Sequence, residues 1–150
     1  MALSARLRRK ARTFVGLSAA DRLLVGEAVV ALGLARLVVI ALPFRLTARW
    51  LDRTPGAIGC DEKLLLRVRM AVTAAARNVP WNAVCLPQAM AAKAMLARRG
   101  CGSRFHLGAG FDTHGELIAH AWLTAGGTVV VGSAGIASVT PIAQFGRSPY

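Results

Sequence analysis

The apolar residues of this chain change period at Gly100, and that change decides the fold class. Before Gly100 they recur at helical spacing, whereas beyond it they alternate as in strands with one covered face. Ser18, followed three positions on by Asp21, reads as a capping box. It starts a helix over about Ala19 to Leu42, which must stop before Pro43. Phe44 to Trp50 adds a short helical turn. A second helix is expected over Asp61 to Arg77, with Leu64, Val68, Ala71 and Ala75 on one face. A third is expected over Cys85 to Arg99, turning Leu86, Ala89, Met90, Ala94 and Leu96 inward and Lys93, Arg98 and Arg99 outward. Strands follow at Arg104 to Phe111, Leu117 to Thr124 and Thr128 to Val131. A turn at Asp112–Gly115 joins the first two, and a Gly126-Gly127 hairpin joins the last two. The tail, Ser133 to Tyr150, reads as loop. Helices first and a small antiparallel sheet afterwards make an α+β fold. The turn-rich run Asp52-Arg53-Thr54-Pro55-Gly56 is the boundary expected between an N-terminal helical region, 1–55, and a second domain, 56–150.

Charge and cysteine content narrow the function classes. The net charge is +12, with five basic residues between Arg6 and Arg12, which suits an acidic partner. The basic residues are not interleaved with aromatics in a groove-like pattern, so nucleic acid is not expected. Three cysteines without CxxC spacing argue against a disulfide framework or a zinc site and fit a reducing cytoplasm. Cys60 and Cys101 then read as ordinary small residues. No ligand spacing for a metal is present, and no cofactor is indicated. The apolar stretch Leu23 to Phe44 is interrupted by Glu27 and Arg36, with eight residues between them. It reads as a buried amphipathic helix ahead of a peripheral membrane helix.

Cys85 stands at the start of its helix, because Pro87 belongs in a first turn, where a missing N–H costs little. A thiol there faces the positive end of the helix dipole and unpaired backbone N–H groups, which favour the nucleophilic thiolate. His120, 35 positions later (120 − 85), is presented from a strand and can act as base and then as acid. Each has a plainer reading, as a packed cysteine and a hydrogen-bonded core histidine. His106 and His114 are rivals for the base.

Pro80-Trp81 ahead of Cys85-Leu86, the helix closing at Arg98-Arg99-Gly100, the strand Arg104-Phe105-His106-Leu107-Gly108 and the block Ala119-His120-Ala121-Trp122 occur in order. Over about residues 60 to 145 the set resembles the lasso-peptide biosynthesis B2 proteins, transglutaminase-like leader peptidases. The resemblance implies a papain-like or transglutaminase-like cysteine protease core with an N-terminal helical extension. Cys85 would be the nucleophile, His120 the base and the Cys85 backbone N–H an oxyanion donor, with Trp81, Asn82 or Gln88 as a second. The implied partners are a lasso precursor with its leader, a small leader-recognition protein and an asparagine-synthetase-like cyclase. The family places an aspartate on the strand after the histidine, but this chain has no Asp or Glu beyond Glu116. The matching stretch is Val129-Val130-Val131-Gly132-Ser133, so a neutral group must orient the histidine: Ser133, Gln144, a backbone carbonyl or a water. The missing carboxylate keeps two other readings open, a non-catalytic adaptor of the same fold and a membrane-associated basic protein.

Overall fold

The computed structural model describes residues 15–53 and 59–146. The N-terminal basic run, part of the Asp52–Gly56 linker and the last four residues fall outside them. The elements are α1 (Ala19–Ala41), α2 (Phe44–Asp52), α3 (Glu62–Ala76), α4 (Cys85–Ala97), β1 (Arg104–Phe111), β2 (Leu117–Ala125), β3 (Thr128–Val131), a 3-10 turn (Ile136–Ser138) and β4 (Thr140–Phe145). The strands form one antiparallel sheet in the order β3-β2-β1-β4. The α+β class expected from the change of period is the one observed.

The helix ends follow local chemistry. Ser18 Oγ accepts from the Asp21 N–H at 3.1 Å and donates to the Asp21 carboxylate at 2.6 Å, closing the start of α1. Asp61 caps α3 through the Lys63 N–H. α4 ends at Gly100, whose φ of 71° is open to glycine, and the Cys101 N–H returns to the Leu96 carbonyl. At the β2–β3 hairpin both Gly126 and Gly127 have positive φ, which matches the twist of the strands they join.

The core is a single apolar cluster. Leu24, Ala28, Leu32 and Ala35 of α1 and Val68, Val72 and Ala75 of α3 converge on α4. Phe105 of β1, with Ala121 and Leu123 of β2, closes the cluster from the sheet side. Ion pairs pin α1 to its neighbours, Arg98 also reaching Glu27 at 3.7 Å. Arg67 of α3 meets Asp21 at 2.9 Å, and Arg99 beyond α4 makes a two-pronged bond to Glu27 at 2.6 and 3.0 Å. The Arg99 bonds hold the Glu27 carboxyl below its ordinary range.

Four expectations are corrected. Lys93 does not face outward. α4 is covered on most of its circumference, so the Lys93 stem lies in the core and its Nζ donates to the Ser103 carbonyl at 2.9 Å. The tail is not wholly loop, since Thr140–Phe145 pairs with β1 as an edge strand. Pro141 weakens its strand signal, and only an edge tolerates a proline. Cys60 and Cys101 are not independent small residues. One precedes α3 and the other follows α4, and the packing of those ends pairs them as a disulfide with Cα atoms 5.3 Å apart. The helix over Leu23 to Phe44 is buried along one side only.

Two predictions follow from this packing. Burial lowers the Lys93 pKa from 10.5 to about 8, opposed by the nearby Asp52 charge. Between those values the unfolded chain holds more protons than the folded one, so stability rises with pH across that window. Lys93→Met should flatten the rise, as read by guanidinium unfolding at a series of pH values. Because Cys85 is the one free thiol, the native chain should titrate one thiol without reductant and three after reduction. Three thiols before reduction would contradict the Cys60–Cys101 pairing.

Candidate active site

Cys85 is the first residue of α4, as its sequence context predicts. Val84 precedes it as N-cap and offers no side-chain hydrogen bond. Pro87 carries no N–H, so the first-turn donors left to α4 are the N–H groups of Cys85 and Leu86. Cys85 is half-buried and packs on the shared core.

The loop that delivers Cys85 is tied at both sides. Gln88 Nε2 donates to the Ala83 carbonyl at 2.6 Å, and Arg36 of α1 donates to the Asn82 carbonyl at 3.1 Å. The Trp81 ring lies under α1, where a Cβ on Gly33 would meet it at 3.7 Å. Of the three side chains expected as a second oxyanion donor, Gln88 is therefore engaged elsewhere. The Trp81 indole N–H is buried without a hydrogen-bond partner among the described residues.

His120 is fixed from three directions. Its Nε2 lies 2.7 Å from the Gly132 carbonyl oxygen. A carbonyl can only accept, so Nε2 carries the proton and Nδ1 of the neutral ring keeps its lone pair. The Trp122 indole stacks near the imidazole, centroids 6.1 Å apart and planes 18° from parallel. The backbone at Gly135 approaches so closely that a Cβ there would sit 3.4 Å from the ring. The orienting group that sequence alone left open among four candidates is thus a backbone carbonyl. Among the described residues, neither Ser133 nor Gln144 hydrogen-bonds to His120.

The rival histidines have other work. His106 is buried, stacks on Trp122 from the neighbouring strand with centroids 5.1 Å apart, and bonds Thr124 Oγ1 at 2.9 Å. Burial, with the Arg104 charge adding to it, pushes its pKa down, so its ring is neutral at physiological pH. His114 is exposed in the β1–β2 turn, where Asp112 Oδ1 accepts from the His114 and Glu116 N–H groups. That carboxylate is committed to its turn and is not the missing orienting acid.

Cys85 and His120 are positioned but not joined. Ala121, Leu123 and Ala125 of β2 face the helical core, so the alternating residues His120 and Trp122 face away from it. Among the described residues no hydrogen bond links Cys85 Sγ to His120. The arrangement presents an uncapped helix start bearing a thiol, and an imidazole locked in one tautomer.

Gly132 has no room for a side chain. Its φ is 82°, and a Cβ there would come within 2.6 Å of the Ala121 carbonyl oxygen and 2.8 Å of Trp122 Cβ. A side chain at this position collides with backbone, so only glycine lets the carbonyl reach the imidazole. Gly132→Asp should therefore destabilise the chain, by about 1–3 kcal/mol or more. Chemical unfolding checks this, and equal or greater stability would show that the position accepts the carboxylate.

The family description "Transglutaminase-like superfamily" matches residues 28–144, a span that holds Cys85, His120 and Gly132. No curated protein and no solved structure gives a match.

Proposed function

The chain belongs to the transglutaminase-like superfamily, and on that premise we propose that it is a cysteine peptidase that removes the leader of a lasso-peptide precursor. The observation that carries the reading is Cys85 at the first position of an uncapped helix, in a superfamily that includes cysteine proteases.

In the proposed reaction Cys85 Sγ attacks the carbonyl carbon after the leader while His120 Nδ1 takes the thiol proton. The oxyanion is met by the Cys85 N–H at the open start of α4. Collapse of this intermediate breaks the peptide bond, and Nδ1 returns the proton to the departing amine of the core peptide. Water, deprotonated by the same nitrogen, then hydrolyses the thioester to release the leader carboxylate and restore the thiol. Because His120 faces away from the core on which Cys85 packs, the reaction requires a rearrangement of this strand or of the start of α4 that brings Nδ1 and Sγ to hydrogen-bond reach. The Gly132 carbonyl orients the ring as an acid would. It contributes only a dipole to the developing imidazolium, so the chemistry should be slower than with a carboxylate.

The reading includes a leader-recognition protein that delivers the precursor and a separate asparagine-synthetase-like cyclase that closes the ring; the Cys60–Cys101 disulfide removes the ground on which unpaired cysteines suggested a reducing cytoplasm. A non-catalytic adaptor is the second reading, favoured by the unmade Cys85–His120 bond and the absent carboxylate. Such a protein would hold precursor or cyclase without cutting.

Cleavage of precursor in the presence of the recognition protein, followed by mass spectrometry, separates the two. Cys85→Ala should abolish leader release while leaving circular dichroism unchanged. Retained cleavage by that variant, or none by the parent chain, would overturn the peptidase reading. His120→Ala should lose activity by a factor of about 10² or more, whereas His114→Ala keeps most of it.

A further inference from the structure

α1 is apolar on nearly its whole circumference, yet only one side of it is covered. Its window of mean hydropathy 2.3 is long and apolar enough to cross a membrane, and 22% of that window is buried. Leu24, Ala28, Leu32 and Ala35 are held by the core, so the helix is not free to cross a bilayer while the domain is folded. On the far side Leu23 is 77%, Leu34 58%, Leu37 61% and Ile40 70% exposed. With Val30, most of these side chains fall within roughly 60° of one another at 3.6 residues per turn. Leu23, Val30, Leu34 and Leu37 form a stripe about 21 Å long at 1.5 Å per residue, with Ile40 at its edge. Soluble surfaces rarely carry a continuous apolar stripe without a partner.

The stripe continues into a groove of about 520 Å³ where α1 meets α2 across Pro43. Val30, Leu34, Val38, Leu42, Leu46 and Trp50 line it. Phe44 and Trp50 are both partly exposed at this corner. Arg45 and Arg49 of α2 and Arg53 just after it are exposed, and Arg98 lines the groove. Of the acidic groups nearby, Asp21 pairs with Arg67 and Glu27 with Arg99 and, at 3.7 Å, Arg98, while Asp52 accepts from the Gly146 N–H and keeps its charge. The sequence leading into α1 adds Arg6, Arg8, Arg9, Lys10 and Arg12.

We propose that this face, the outer stripe of α1 with the α2 corner, lies in the headgroup–acyl boundary of an anionic phospholipid membrane. The stripe enters the acyl region lengthwise, Phe44 and Trp50 sit at the interface, and the arginines meet lipid phosphates. A peptide or a second helix seated in the groove would leave Leu23, Leu37 and Ile40 uncovered, since none of them lines it. A planar apolar boundary covers them all, and the surplus of positive charge selects an anionic one. The inference stands apart from the peptidase reading, and its test uses no activity.

The test is sedimentation of the full chain with vesicles of mixed phosphatidylcholine and phosphatidylglycerol, against vesicles of phosphatidylcholine alone. The chain should pellet with the anionic vesicles, and added salt should weaken the binding. L34E combined with L37E should reduce it at least about tenfold. Both sites are exposed, so circular dichroism and the unfolding midpoint should stay unchanged. A milder pair, L34S with L37S, should give an intermediate loss. Absence of vesicle binding, or binding unaltered by both variants, overturns the proposal. It is equally overturned if the chain ignores vesicles and forms dimers that the same substitutions dissociate, because a second copy then covers the stripe.

Discussion

The burial of α4 is the constraint from which the rest of the molecule follows. α1 and α3 cover it from the helical side and β1, β2 and β3 from the other, so its side chains have little solvent to reach. Small residues dominate it: Ala89, Ala91 and Ala92 let neighbours approach closely, and Met90, Met95 and Leu96 fill the remaining space. The same burial forces Lys93 inside, where its ammonium costs desolvation and leans on the Ser103 carbonyl and the Asp52 charge. The start of α4 escapes that enclosure, and Cys85 stands there with the outward N–H groups of the first turn.

A second constraint sets the chemistry of the imidazole. β3 ends at a glycine whose backbone runs against β2, leaving its carbonyl 2.7 Å from His120 Nε2. This close approach excludes a side chain at Gly132. It also fixes the tautomer, because the acceptor leaves Nε2 no role except donor. Trp122 stacks on both His106 and His120, and the two rings are bonded to Thr124 and to the Gly132 carbonyl respectively.

Much of this was readable from the sequence where local chemistry decides the outcome. The Ser18 cap, the stop before Pro43, Cys85 at a helix start and the Gly126-Gly127 hairpin all rest on residues within a few positions of one another. What sequence did not reveal depends on contacts between distant segments. Lys93 looked like a solvent residue because the helical pattern around it gives no hint that the sheet covers that side. β4 was obscured by Pro141 and by a pairing that exists only because β1 offers a free edge. The Cys60–Cys101 pair joins helix ends 41 residues apart, and spacing alone does not encode that meeting. The orienter of His120 was narrowed to neutral groups by composition, but a backbone carbonyl has no sequence signature. The exposed half of α1 was hidden for the opposite reason, since a stripe that is apolar on all sides looks like a core helix until its neighbours are placed.

The central claim is that Cys85 and His120 act on one another. The most direct test is the rate at which iodoacetamide alkylates the disulfide-intact chain near neutral pH, where Cys85 is the free thiol. The account predicts that His120→Ala slows this alkylation about tenfold or more, while His114→Ala leaves it unchanged. Equal rates in the parent chain and in His120→Ala would mean that the thiol does not sense the imidazole, and would contradict the account.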